Sequence, residues 1–550
     1  LRQTLLAMMA KNYLGRVTEL CHENGLKFSS EAGGRQTFLH NPVALLAISD
    51  LPMGEFWPHE GTPRVDGKAA ASVAHIYGKP IAGAESFTGA GPFATWQSHP
   101  YRLKQIGDEA FCLGVNHFVI HYYVHQAYEG FRPGFAMGPW GIHLDRMNTW
   151  WQQSRPWFDY LARCQYLLRQ GRFVADVLYF PGEGAPHYFG KRPSLTVPLP
   201  AGYDYDGCDR ETLLHRLSVE NGRLVLPSGM SYRYLMLAND ETMTLELVHR
   251  VQELVEAGAK IIGPKPIDSP SFQGYPQCDE EVRAIADALW DNDRVIHGKT
   301  FEQIAEEDGL PADFAFTSTS PDATVRYIHR RSGDTDLYFV ANGNDEAVEL
   351  DAVFRVAGRR PEIWNPETGE ISIPAVFEKF GNSVRLPMHL DRLQSVFVVF
   401  RAGDPKDTIV RVAAWPAVSM AESTDPSILL AQDAKGQVIA QAFSNGRFDL
   451  EYSSGARQSL EVADVPAAQE LRGPWQIRFP AGWDAPEQVE FDELMSWAEH
   501  ENPGIKYFSG TATYTTSFEA PSESERNGSR WFLDLGDVQV IARVKLNGQD

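Results

Sequence analysis

Three short apolar stretches in the first ninety residues each run out into a glutamate: KFSSEAGG with Glu31, LLAISDLPMGEFW with Glu55, and PIAGAESFTG with Glu85. Around them the hydrophobic period switches between helix-like and strand-like. Leu5, Leu6, Met9, Tyr13, Leu14, Val17 and Leu20 recur at helical spacing and Gly25 supplies a stop, which predicts a helix over 3–24. Strand signals over 28–31, 44–50, 80–87 and 117–124 then alternate with helical ones over 68–77, 101–114 and 148–170, where Asn148 and Thr149 are placed to cap the last helix. Such alternation predicts a parallel sheet, with a barrel competing against a doubly wound sheet at this size. The reading favours the C-terminal half of a (β/α)8 TIM barrel over 1–173, since about four strand–helix units are present and a complete barrel takes about 250 residues. The first half is expected upstream of Leu1, and the chain reads as a fragment of a longer protein.

A second α/β stretch opens at VADVLYF and continues through helical signals over 209–217, 244–257 and 280–290 and strand signals over 234–238, 260–263 and 294–297. It reads as a small α/β domain over 174–300, structural in role because it holds no phosphate loop and no nucleophile elbow. From about Ser318 short alternating strands with turn signals (TVRYIHR, DTDLYFVANGN, AVELDAVF, NSVRLPMHL, QSVFVVF) predict a β-sandwich over 315–402. The Ala-, Ser- and Asp-rich 403–467 reads as a linker or a β edge, and 468–550, with PWQIRFP, YTTSFEAP and RWFLDLGDVQVIARVKLNG, as a final β domain. The fold class is multidomain α/β plus all-β.

Charge and composition narrow the function classes. With 50 Lys and Arg against 72 Asp and Glu, the formal net charge of -22 disfavours nucleic acid and anionic membrane as partners. No run of 18 or more apolar residues occurs, so no membrane span is expected. Five widely spaced cysteines lack any CxxC or zinc spacing, which predicts no disulfide framework. Oligomeric state is left open.

The glutamates carry the candidate chemistry. Carboxyl groups at the C-terminal ends of barrel strands are where this fold places catalytic groups, and glycosidic bond hydrolysis needs two of them. Glu85 follows a buried apolar run and precedes Ser86, Phe87, Thr88 and Gly89; a surface ion pair is its bland alternative. Glu55 sits beside Phe56 and Trp57, and aromatic faces of that kind pack on the apolar face of a pyranose. Glu31 precedes the paired glycines Gly33 and Gly34, which permit close approach of a ligand or merely serve a turn. Three such oxygen donors also suit a hard cation such as calcium, although no EF-hand spacing is present. In the run 117–124, His117, His121 and Tyr123 alternate onto one face, with His125 next in phase. His117 reads as a satisfied core residue, and His121, Tyr123 and His125 as candidates for binding sugar hydroxyls. Trp96, and the group Trp140, His143, Arg146, Trp150 and Trp151, divide between core and pocket lining; Trp475, Trp531 and Tyr514 read as core.

The stretches ASVAHIYGKPIAGAESFTG, WQSHPYRLKQIGDEAFCLGVNHFVIHYYVHQ and GPWGIHLDRMNTWWQQSRPWFDYLARCQYLLRQG together resemble the α-L-rhamnosidases of glycoside hydrolase family 106. The closing β unit is similar to the galactose-binding-like, sugar-binding jelly-roll domain of family 2 glycosidases. The resemblance implies an inverting hydrolase that removes terminal α-L-rhamnose from plant polysaccharides or glycosides, with a calcium ion near the sugar. It implies that Glu85, in AESFT, is the general base, and that the general acid comes from an earlier barrel strand. Glu55 and Glu31 are then assigned to sugar or cation binding, though either serves as the acid if the strand count is wrong. Glu85 and Glu55 are therefore the catalytic candidates, and Glu31, Trp57, Trp96, His121, Tyr123 and His125 the substrate-binding ones; metal ligands are not assigned. A carbohydrate substrate suggests a periplasmic or extracellular location. Two alternatives stay open: a retaining glycosidase of β-galactosidase type, and a non-catalytic carbohydrate-binding protein.

Overall fold

The computed structural model describes residues 2–31, 41–58, 64–94, 96–128, 130–187, 192–403, 407–415, 428–433, 435–520, 522 and 530–550. The chain opens with α1 (Arg2–Met9) and α2 (Arg16–Glu23), joined by a π-helical segment, Ala10–Gly15, so the long helix expected from periodicity forms in three pieces. The first sheet holds β1 (Ser29–Glu31), β2 (Leu51–Trp57), β3 (Arg64–Val65), β4 (Gly83–Ser86) and β5 (His117–Ile120). Strands β1, β2, β4 and β5 run parallel in that order, and β3 pairs antiparallel on β2.

Local sequence explains where these elements start. Asn41 caps α3 (Pro42–Leu46): its side chain accepts from Ala44 N at 3.2 Å, and Pro42 occupies the first turn where no N–H is missed. The strand expected over 44–50 is thus a short helix, and the strand that carries the candidate Glu55 begins only at Leu51. Helices α4 (Gly67–Tyr77) and α5 (Pro100–Cys112) cover one face of the sheet. Into that layer point Pro52, Gly54, Phe56, Ala84, Ser86 and Phe118, all buried. The rings of Phe56, Phe87 and Phe118 meet edge to face at 4.9–5.5 Å, and Phe118 stacks on Phe111 at 4.4 Å.

The expected strand over 117–124 stops at Ile120, and the expected helix over 148–170 becomes a short 3-10 turn, Trp151–Gln153, followed by α6 (Arg155–Leu168). Asn148 does not cap that helix. Its amide instead ties the preceding turn, donating to His143 O at 2.6 Å and accepting from Trp150 N at 3.3 Å.

Beyond the first unit lies a four-stranded parallel sheet in the order Lys260–Ile262, Tyr234–Leu237, Val177–Phe180, Tyr205–Gly207, with helices Leu245–Glu256 and Gln277–Trp290. The strand expected over 294–297 is reduced to one bridge, Ile262 to Ile296, and the helix expected over 209–217 is a π-turn, Thr212–Arg216. Two antiparallel sheets then pack around Tyr338, Phe354, Phe377, Val398 and Phe400. One consists of Phe314–Ser318, Val348–Phe354, Ser383–Leu390 and Glu378–Phe380; the other is centred on Thr335–Asn342 and Ser395–Ala402. Residues within 403–467 form strands: Ile428–Gln432 and Val438–Ala442 lengthen the larger sheet, while Ile409–Trp415, Gly446–Tyr452 and Arg457–Val462 make a sheet of their own. In 468–550, Gln488–Phe491, Trp475–Arg478 and Thr513–Thr515 form a three-stranded sheet. Residues 530–550, which the alternating pattern marks as strand, carry only the isolated bridge of Leu546 with Gln549 and expose Trp531, Phe532 and Leu533.

A polar seam fastens α4 to the second sheet. Lys68 Nζ lies 3.0 Å from Asp204 Oδ1, and fully buried Asp206 accepts hydrogen bonds from Ser72, His75 and Tyr232 at 2.9–3.0 Å. Burial alone pushes the Asp206 carboxyl up, but His75, Lys68 and Tyr232 outweigh it and hold the group below the ordinary carboxylate range.

Candidate active site

The period-two geometry of β2 and β4 decides the site. Residues alternating with the buried set fall on the opposite face, which carries Glu31, Met53, Glu55, Trp57, Glu85, His117 and Val119. That face is open enough to leave Val119 42% exposed. Glu55 and Glu85 are register partners, one on each of two neighbouring parallel strands and both near the C-terminal end. Glu31 pairs with Met53, one pleat repeat lower on the same face. Glu55 and Glu85 therefore leave the sheet side by side, from strands about 4.8 Å apart.

Close packing fixes both backbones. A Cβ on Gly54 would run into the Asp66 carbonyl where β3 folds back on β2, and a Cβ on Gly83 would lie 2.8 Å from Met53 Cγ. Thr88 donates its hydroxyl to Glu85 Oε1. Phe87, between them and wholly buried, has φ +62°, so the chain leaves β4 through the left-handed region and swings Thr88 back over the carboxylate. Sequence reading passed over Thr88; the threonine three residues after a strand-end glutamate was its only signal.

Above the carboxylates the segment 138–144 returns to the strand ends. Gly141 N donates to Gly89 O at 2.8 Å, Ile142 N to His121 O at 2.9 Å, and Tyr122 N to Ile142 O at 3.1 Å. This brings the Trp140 ring to 5.5 Å from that of Trp57, two residues beyond Glu55. Buried His143 sits beneath the same rim, with Nε2 donating to Ala94 O at 3.0 Å and the Trp96 ring 3.7 Å away. Burial holds its imidazole below the ordinary histidine range. Its Nδ1 and that of His121 are buried with no hydrogen-bond partner among the described residues.

The structure thus gathers Glu55, Glu85, Trp57 and half-buried His121 at one rim, with Trp96 against His143 beside them. Glu31 joins the face but not the level. Tyr123 and His125 are not on a strand face at all: the strand has ended at Ile120, and both side chains are exposed. His117 is half-buried and accepts from Arg169 Nη2 at 2.9 Å through Nδ1, as a structural residue would. Among the described residues no group of three or more His, Cys, Asp or Glu converges to hold a metal ion. The donor chemistry of Glu55 and Glu85 suits calcium, but these two fall short of the roughly six to eight oxygen ligands that calcium takes.

Comparison with known proteins agrees with the architecture. The solved structure of a rhamnosidase from Novosphingobium sp. PP1Y superposes with a TM-score of 0.77 at 30% identity, covering 95% of this chain and 46% of that one. A protein of Formosa agariphila named "Putative beta-glucuronidase" is 30% identical over 100% of this chain and 61% of its own length. The chain thus spans about half to three fifths of the relatives it matches. The family model described as alpha-L-rhamnosidase, that of glycoside hydrolase family 106, matches residues 1–378. By that match, over more than half of its length, the chain belongs to the α-L-rhamnosidase family, glycoside hydrolase family 106.

Proposed function

We propose that this chain forms one wall of the active site of a glycosidase that releases terminal α-L-rhamnose from plant polysaccharides or glycosides with inversion at the anomeric carbon. The observation that carries the reading is the register pairing of buried Glu55 with half-buried Glu85 near the C-terminal ends of adjacent parallel strands, on a face rimmed by Trp57 and Trp140. Glu85 is the general base: its carboxylate takes a proton from water as the water oxygen bonds to the anomeric carbon, while an acid on the opposite face protonates the departing glycosidic oxygen. Inversion needs carboxyl groups ~6.5–9.5 Å apart with room for that water, and retention ~5–5.5 Å. On this reading Glu55, on the neighbouring strand, orients the sugar beside Glu85, and the acid acts from across the ring. Trp57 and Trp96 offer apolar faces to the pyranose, and His121 a ring nitrogen to a hydroxyl. A calcium ion at the sugar would draw Glu55 as one oxygen donor; no step above depends on it. Such substrates place the enzyme in the periplasm or outside the cell.

The full-length protein should hydrolyse an α-L-rhamnoside, and Glu85→Gln should lower kcat about 10²- to 10⁴-fold. Unchanged turnover in that variant removes Glu85 from the base role. Nuclear magnetic resonance of the first-formed product reads the anomer, and retention would favour the β-galactosidase-type alternative. Because the Formosa relative is named for glucuronide chemistry, a β-glucuronide belongs in the same panel. Preference for it over the rhamnoside would replace the substrate assignment.

A further inference from the structure

A second concavity lies at the other end of the first sheet from the candidate carboxylates. Helix α6 finishes there: Arg169 Nε donates to Asn116 O at 3.0 Å, just before β5 begins, whereas Glu85 stands near the C-terminal end of β4. The last turn of α6 lies over one face of the larger sandwich sheet, and between helix and sheet is a cavity of about 190 Å³.

Strand register builds its walls. Arg330 pairs with Leu337, Leu337 with Val399 and Val399 with Glu362; in the next row of the same face Ser332 pairs with Thr335 and Arg401 with Arg360. Leu167, Leu337, Val399 and Trp364 give the cavity an apolar side, while Gln170, Arg330, Ser332, Thr335 and Arg401 give it hydrogen-bond donors. Among the described residues no Asp or Glu lines it, although acids outnumber bases 72 to 50 along the chain.

Arg330 is 6% exposed, and its Nε and Nη2 donate to Gln170 O and Gly171 O at 2.8 Å. Among the described residues it forms no ion pair, and burial lowers its guanidinium to about 10 against the opposing charge of Asp206. The Arg401 guanidinium lies 5.4 Å from the Trp364 ring, with Nε 3.4 Å from Glu362 Oε2. That carboxylate also accepts from Trp364 Nε1 at 2.9 Å and lies 3.8 Å from Arg360 Nη2. One acid thus stands among three guanidinium groups, and a buried cation without a close counter-charge favours an incoming anion.

We propose that this cavity is a second, non-catalytic sugar site that takes a hexuronate, its carboxylate held by Arg330 and Arg401 and the apolar face of its ring against Leu337, Val399 and Trp364. At ~30 Å³ per water the space equals about six waters, more than an inorganic anion fills and close to one pyranose. The choice of a sugar rests on the chain's glycoside hydrolase family.

Isothermal titration calorimetry on the full-length protein tests it with D-glucuronate, with D-glucose, which carries a hydroxymethyl in place of the carboxylate, and with inorganic phosphate. Glucuronate should bind more tightly than either, and Arg401→Gln should weaken it about 10-fold or more. Arg401 is half exposed, so the variant should keep its circular dichroism spectrum and its turnover of an aryl rhamnoside. Absence of glucuronate binding, equal affinity for glucose, tighter binding of phosphate, or affinity that survives Arg401→Gln overturns the site. Binding is read without turnover, so a protein inert toward rhamnosides would remove the rhamnosidase reading and leave this one to its own result.

Discussion

A carboxylate at a strand end can point in many directions, and the Thr88 hydroxyl chooses one for Glu85. Hydrogen bonds to a charged group are worth about 1.5–3 kcal/mol, so removing this one frees the side chain to rotate away from its working position. Thr88→Val keeps the shape of the residue and deletes only the donor. It should lower kcat about 10-fold with KM little changed, measured by steady-state kinetics on a rhamnoside. A rise in KM at constant kcat would mean that Thr88 binds sugar rather than positions the glutamate.

At the scale of elements, register does what individual residues cannot. Shifting β4 by one residue against β2 would turn Glu85 into the phenylalanine layer and expose Ser86 in its place. Gly54 and Gly83 hold that register because neither position has room for a side chain. A second register pair tests the same logic in the sandwich, where Glu349 and His389 face one another on antiparallel strands. His389 is flanked by Asp391 and Glu349, and its hydrogen bonds to them raise it to about 10. A group whose folded value is raised stabilises fully below its unfolded value of about 6.5 and loses that contribution as pH climbs toward 10. The melting temperature of His389→Gln should therefore fall below that of the wild type at pH 6, and the gap should narrow by pH 10. The partly exposed acids keep the effect small.

Across the whole molecule, the strands of the first sheet are steadied by what packs behind them. Asp206 on the second sheet gathers Ser72 and His75 of α4 together with Tyr232 of its own unit. Asp206→Ala strands three buried donors, each costing about 1–3 kcal/mol, so denaturant unfolding should show a loss of about 3 kcal/mol or more at pH 7. Because the Asp206 carboxyl is depressed on folding, its contribution is present above about pH 4 and lost as pH falls through the folded value. The wild type and the variant should converge in acid. A pH-independent difference would assign the seam to packing rather than charge.

Sequence by itself determined the alternation of strands and helices, the antiparallel texture after 318, the family and the placing of Glu55 and Glu85 near strand ends, because period, turn residues and motif are local properties. It misjudged 44–50, where the Asn41–Pro42 cap outweighed an apolar run, and 117–124, where β5 ends once its neighbour β4 has ended at Ser86. It also read strands into 530–550, where none pairs. The level at which each glutamate sits, the fold of Thr88 over Glu85, and the return of Trp140 onto Trp57 came only with the tertiary structure. Those depend on which strands become neighbours and in what register, and that is set by packing between residues far apart in the chain.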